Sequence, residues 1–182
     1  EGLKKNQKLS ENVFTPTTKS DEHDRPITPA EIVSEGILSQ ELTDELERVS
    51  KALFARGQEI ALAQGLILVD TKYESGLDSD GKLTLIDEIH TPDSSRYWKA
   101  ATYQERFDKD EEPEYFDKEF LRLWFKDNCD PYKDAVLPEA PPELVAELSR
   151  RYIEIYETIT GKPFNHDFSL PTLERIKKNL SI

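Results

Sequence analysis

Residues 65–89, "GLILVDTKYESGLDSDGKLTLIDEI", decide how this chain folds. An apolar run, "LILV", leads into alternating charge at Asp70, Lys72 and Glu74. In a strand those three side chains point to one side, because successive residues face opposite ways. "LDSDGK" is turn chemistry, and "LTLIDEI" reads as a second strand, so the stretch predicts an antiparallel hairpin. A regular hairpin puts Glu74 near the end of its first strand and Asp87 near the end of its second. Those ends lie at opposite extremes unless the strands bend or the register slips. The charged row is then either a solvated sheet face or one wall of a site.

Upstream, Leu42, Leu46, Val49 and Leu53 recur at three- and four-residue steps. This predicts a helix from Ser39 with an apolar stripe running through Ile60 and a C-terminal cap at Gly65. Thr28-Pro29-Ala30-Glu31 has the capping-box spacing with proline at the first helical position, and predicts a helix start. The rest of residues 1–38 reads as loop punctuated by Pro16, Pro26 and Pro29.

Downstream, "HTPDSSRYWKA" reads as a loop. Phe116, Phe120, Leu121, Leu123, Trp124 and Phe125 suggest a helix packing through large rings. A proline-led helix follows, with Leu144, Leu148, Tyr152, Ile155 and Ile159 on one face and Gly161 closing it. A short tail helix falls near Leu173, Ile176 and Leu180, and there are no internal repeats. The class is α+β, with more helix than strand.

Composition narrows the chemistry. With a net charge of −13 over 182 residues, the chain is a poor general nucleic-acid binder, since phosphates would be repelled. A local basic pocket for a small anion remains compatible with that balance. No run approaches the roughly 18 apolar residues of a membrane span. The single cysteine, Cys129, rules out an intrachain disulfide and a cysteine zinc cluster, and it fits a reducing compartment. It lacks a nearby histidine or basic cluster to activate it. His90 and His166 show no metal-ligand pattern, and no Walker loop, G-x-G-x-x-G or G-x-S-x-G string occurs.

Three segments can carry a site. Glu74 and Asp87, beside the "TPD" loop, offer the few hard oxygen ligands that Mg²⁺ prefers, with positions left for substrate phosphates. "TPDSSR" (residues 91–96) collects hydroxyls and a guanidinium, and Arg96 can grip a phosphate or carboxylate through two nitrogens, with Ser94 and Ser95 as extra donors. "TPTTKSDEHD" (residues 15–24) is a hydroxyl-rich loop with Lys19, His23 and Asp24. Each segment alone also reads as ordinary surface or linker.

Taken in order and spacing, "FTPTTKSDEHD", "GLILVDTKYESG" and "LIDEIHTPDSSRYW" resemble the phosphoribosylaminoimidazole-succinocarboxamide synthase (SAICAR synthetase) family of purine biosynthesis. "DKEFLRLWFKDNCDPY" and "RYIEIYETITGKPF" extend the likeness to about residue 165 and resemble the longer bacterial and plant forms. The resemblance implies a carbon–nitrogen ligase that uses ATP and Mg²⁺ to join L-aspartate to the carboxylate of carboxyaminoimidazole ribonucleotide through an acyl phosphate. It implies Glu74 and Asp87 as metal carboxylates, Lys72 facing nucleotide or substrate carboxylate, and Arg96 with Ser95 on the ribonucleotide's 5′-phosphate. Asp93 is then expected to orient substrate or Arg96, and Lys19, His23 and Asp24 to lie near the substrates.

The resemblance also implies a two-lobed fold related to the kinase-like ATP-binding architecture. The chain then corresponds to the larger carboxy-terminal portion, with an amino-terminal lobe as its missing partner. On that reading residues 1–38 are a substrate-side loop and connecting segment, 39–165 the main catalytic portion and 166–182 a tail. A homo-oligomer is allowed, in a cytoplasmic setting or, for a plant source, a plastid. In one departure from the family string, Ser75 stands where the family has phenylalanine; at a buried site that exchange would cost about 3 kcal/mol of packing. A competing reading is a truncated or degenerate paralogue acting as a non-catalytic binding module. The intact charged set argues against it. A kinase-like phosphotransferase acting on another carboxylate has no motif of its own.

Overall fold

The structure, a computed structural model, describes residues 2–19, 24–116, 119–130, 133–166 and 168–182. Two helices lead into the sheet. α1, Pro29–Ser34, starts at the expected capping box, with the Thr28 hydroxyl accepting from the Glu31 N–H and the Glu31 carboxylate accepting from the Thr28 N–H. α2, Gln40–Ala63, is capped by Ser39 and ends before Gly65, whose φ of +74° is the left-handed turn that releases the chain into the sheet. Its buried positions are Thr43, Gly57 and Ala61. Ala61 joins the core against the sheet and Gly57 faces the His90 ring, while Ile60, expected on the apolar stripe, is exposed.

The decisive stretch divides differently from the single hairpin expected. β1, Leu66–Thr71, stops before the charged row ends. Only β2, Ser75–Leu77, and β3, Leu83–Leu85, form the hairpin around the "DSDG" turn. β1 instead pairs antiparallel with β4, Ser95–Lys99, inside the segment read as loop. The reason is burial. Ser95 and Tyr97 alternate inward with Arg96 outward, so β4 offers Leu66 and Leu68 an apolar neighbour that the exposed hairpin cannot. Pairing runs from Leu66↔Lys99 to Thr71↔Ser95, with a register shift between Leu68 and Asp70.

α3, Ala100–Asp108, follows directly, and β5, Tyr115–Phe116, adds to the other edge of β4, giving the order β1-β4-β5. Phe116 is therefore in a strand and not in the expected aromatic helix, which is α4, Glu119–Asn128. α5, Pro142–Thr160, begins at its prolines and ends at Gly161 in the left-handed conformation, as read from the sequence. α6, Thr172–Leu180, is the tail helix. One core unites these parts: Ala61 of α2, Leu66 and Leu68 of β1, Tyr97 of β4, Phe116 of β5 and Ile155 of α5, with Phe54 and Ile159 against them. Among the described residues no helix is long and apolar enough to cross a membrane.

Candidate active site

The register of the short hairpin brings Glu74 and Asp87 to one end. Ser75 pairs with Leu85, and the Ile86 N–H donates to the Glu74 carbonyl at 3.1 Å. Both carboxylates therefore sit at the hairpin's open end, not at opposite extremes, because the first strand breaks after Thr71 and a new one starts at Ser75.

Two lysines converge on Glu74. Lys72 Nζ donates to Oε1 at 2.6 Å and Lys19 Nζ to the same oxygen at 2.9 Å. The Lys72 and Lys19 hydrogen bonds hold the Glu74 carboxyl well below the ordinary range, at about 2. In turn Glu74 raises the Lys19 ammonium above its ordinary value, with smaller contributions from Asp24 and Asp87. Lys19, Lys72, Asp24, Glu74 and Asp87 thus share one electrostatic neighbourhood. Lys19 reaches it because its loop is closed at the base by the Thr17↔Pro26 bridge and by Thr18 N–H donating to the Arg25 carbonyl at 3.0 Å. His23 lies outside the described residues.

A second cluster begins one turn of the ladder away. The Lys72 N–H donates to the Ser94 carbonyl at 2.9 Å, carrying the β1–β4 pairing into the "TPDSS" loop. Arg96 stands opposite Asp70, donating Nε at 2.9 and 3.0 Å to the two carboxylate oxygens and an η nitrogen to Oδ2. Asp70, the member of the charged row without an assigned role, is thus the partner that sets the guanidinium's plane. Its signal in the sequence was only opposite charge; the cross-strand match needed the register. Ser95 is buried, its hydroxyl 2.8 Å from that of Thr71, so strand alternation turns it inward while Arg96 faces out. Asp93 is exposed and accepts from the Tyr152 hydroxyl at 2.8 Å, which ties the loop to α5. Burial first, then Asp93, pushes the Tyr152 hydroxyl up to about 12, so it stays a donor.

The donor set suits a hard divalent cation. Glu74 is held ionised and Asp87 stands beside it, two carboxylates that leave coordination positions for substrate oxygens. Among the described residues no group of three or more histidine, cysteine or acidic side chains forms a metal cage. Cys129 has its thiol pushed up by burial and by Asp134 and Asp130, and its Sγ donates to the Phe125 carbonyl at 3.2 Å, so it is no activated nucleophile. Ser75 is half-buried in β2, so the exchange for a larger ring there does not carry the cost of a fully buried site.

Comparison with known proteins gives the family. Residues 1–139 match the family model described as SAICAR synthetase. The chain is 59% identical over 181 residues to the phosphoribosylaminoimidazole-succinocarboxamide synthase of Legionella pneumophila (strain Lens), covering 99% of this chain and 58% of the relative. It is 59% identical to the chloroplastic enzyme of that name from Arabidopsis thaliana, covering 43% of it. The SAICAR synthase of Saccharomyces cerevisiae, solved in complex with SAICAR, superposes with a TM-score of 0.72 at 32% identity, over 91% of this chain and 52% of that one. A type-2 SAICAR synthetase in complex with ADP gives 0.65 at 28%, over 90% and 57%. The chain therefore spans between 43% and 58% of the length of these relatives, and it belongs to the SAICAR synthetase family.

Proposed function

We propose that this chain provides the carboxy-terminal part of an ATP-dependent carbon–nitrogen ligase. The enzyme joins L-aspartate to carboxyaminoimidazole ribonucleotide in purine biosynthesis and releases ADP and phosphate. The observation that carries the reading is the open end of the hairpin, where Lys19 and Lys72 meet Glu74 beside Asp87. The proposal includes the two-lobed, kinase-related architecture, with the other lobe covering the ATP phosphates. It also includes a cytoplasmic setting, or a plastid one of the kind named for the plant relative.

A carboxylate is a poor electrophile until one of its oxygens carries a phosphoryl group. In the first step the ribonucleotide carboxylate oxygen attacks the γ-phosphorus, the bond to the bridging oxygen breaks, and ADP leaves. In the second, the aspartate amine attacks the acyl carbon, phosphate leaves with the bonding pair, and the amine gives up a proton. Positioning and charge neutralisation dominate such a transfer. Glu74 and Asp87 would hold Mg²⁺, which supplies charge neutralisation at the phosphate oxygens. Lys72 and Lys19 face the nucleotide and the substrate carboxylate as point charges. Arg96, aimed by Asp70, grips the 5′-phosphate, with Ser95 fixing the strand beneath it through Thr71. Asp93 and Asp24 orient the substrates, and the resemblance assigns His23 to the same task.

Asp87→Asn in the full-length protein tests this. Mg²⁺-dependent ADP release that requires both aspartate and the ribonucleotide should be lost, while circular dichroism and melting stay near wild type. Near-normal turnover would remove Asp87 from the metal site.

A further inference from the structure

Each of the two segments that carry proposed site groups also holds one aromatic ring, and the two rings meet. Tyr73 separates Lys72 from Glu74, and His90 lies between Asp87 and Asp93. The Tyr73 hydroxyl and His90 Nε2 are 2.5 Å apart, and the rings meet edge to face at 5.6 Å. The Tyr97 hydroxyl donates to the His90 carbonyl at 2.7 Å. His90 itself has φ of +57°, where its Cβ crowds the following carbonyl, so its surroundings must over-determine it.

The third support is Gly57 of α2. A Cβ added there would lie 2.8 Å from both ring nitrogens of His90 and overlap Cε1. Glycine in a helix interior is unfavourable relative to alanine, and the ring's close approach is the physical reason for it here. The loop's other anchors lie at its far end, where the Tyr152 hydroxyl donates to Asp93 and the Ser95 N–H to the Thr91 carbonyl. Among the described residues, positions 87–90 donate no backbone–backbone hydrogen bond, the nearest being Ile86 N–H to Glu74 and Ser95 N–H to Thr91.

We propose that Tyr73, His90 and Gly57 form a lock that sets the loop at 87–93 against the 72–74 segment. The lock keeps Asp87 and Asp93 in place relative to Lys72 and Glu74. Its effect on turnover rests on the ligase reading; its existence does not. Tyr73 and His90 are positioning residues, acting through the groups beside them. A misplacement of about 1 Å in such a constellation can cost on the order of a hundredfold in rate.

The test uses the full-length protein. Tyr73→Phe deletes one oxygen and should leave the melting temperature within a few degrees while lowering kcat about tenfold, with the aspartate KM little changed. Gly57→Ala and His90→Ala should each lower the melting temperature. Their combination should cost less than the sum, because removing the ring makes room for the new methyl. Wild-type kcat in Tyr73→Phe, or additive Gly57 and His90 effects, would overturn the lock. If the wild type released no ADP, the ligase reading would fail, and the thermal double-mutant cycle would still decide the lock.

Discussion

Two antiparallel pairings divide the decisive stretch, and they do different work. β1 and β4 bury Leu66, Leu68, Ser95 and Tyr97 between α2 and α5, whereas no residue of β2 or β3 is buried. The ladder is therefore held by apolar burial and presents Asp70 and Arg96 on its outer side. The hairpin is held by its turn, where the Asp78 carboxylate accepts from the Asp80 and Lys82 N–H groups, and it presents Glu74 and Asp87 at its open end. The contrast separates where the fold is held from where the candidate site groups stand. The rigid pairing fixes an arginine in register, and the light one leaves carboxylates accessible.

The largest expected effect breaks the stable half. Leu68 is 1% exposed at the centre of the core, so Leu68→Ala should lose about 3 kcal/mol of unfolding free energy. Leu77→Ala in the hairpin, at 50% exposure, should stay within about 0.5 kcal/mol. Denaturant melts of the two variants measure this directly; similar losses would mean that the hairpin carries core load after all.

Next in size is Arg96→Ala, which separates holding from binding. The Asp70–Arg96 pair is well exposed, so its removal should change stability by less than about 1 kcal/mol. A charge-assisted phosphate grip is worth about 1.5–3 kcal/mol, so the ribonucleotide KM of the full-length enzyme should rise on the order of tenfold to a hundredfold. The aspartate KM should change little. Equal effects on both would take Arg96 out of the phosphate site.

How far the sequence reached follows the same division. Caps and turns were legible because their chemistry is local: the Thr28 box, the Gly65 and Gly161 ends and the "DSDG" turn all stand where expected. The partner of β1 was not, because "SRYWK" is only five residues long and follows Thr-Pro-Asp-Ser, which reads as turn. Its inward Ser95 and Tyr97 and outward Arg96 were the available signal. The match of Asp70 to Arg96 depends on the register shift after Leu68, which no local pattern encodes. The candidate residues were legible as residue types. Their grouping, with Lys19 brought onto Glu74 across 55 positions, is tertiary.

The smallest effect sharpens the light half. Glu74 is held by lysines and not by the ladder, so its proton affinity reports their grip. Its folded carboxyl lies near 2, below the unfolded value of 4.5. A depressed carboxyl stabilises the fold fully above the unfolded value, and that contribution fades as pH falls from 4.5 toward 2. Lys72 is the first cause and Lys19 the second. Following the Glu74 side-chain carboxyl carbon by NMR during an acid titration should give a midpoint near 2. Lys72→Ala should move that midpoint upward further than Lys19→Ala does. An unmoved midpoint in Lys72→Ala would dissolve the pair, and with it the lysine grip that holds the Glu74 carboxylate at the hairpin's open end.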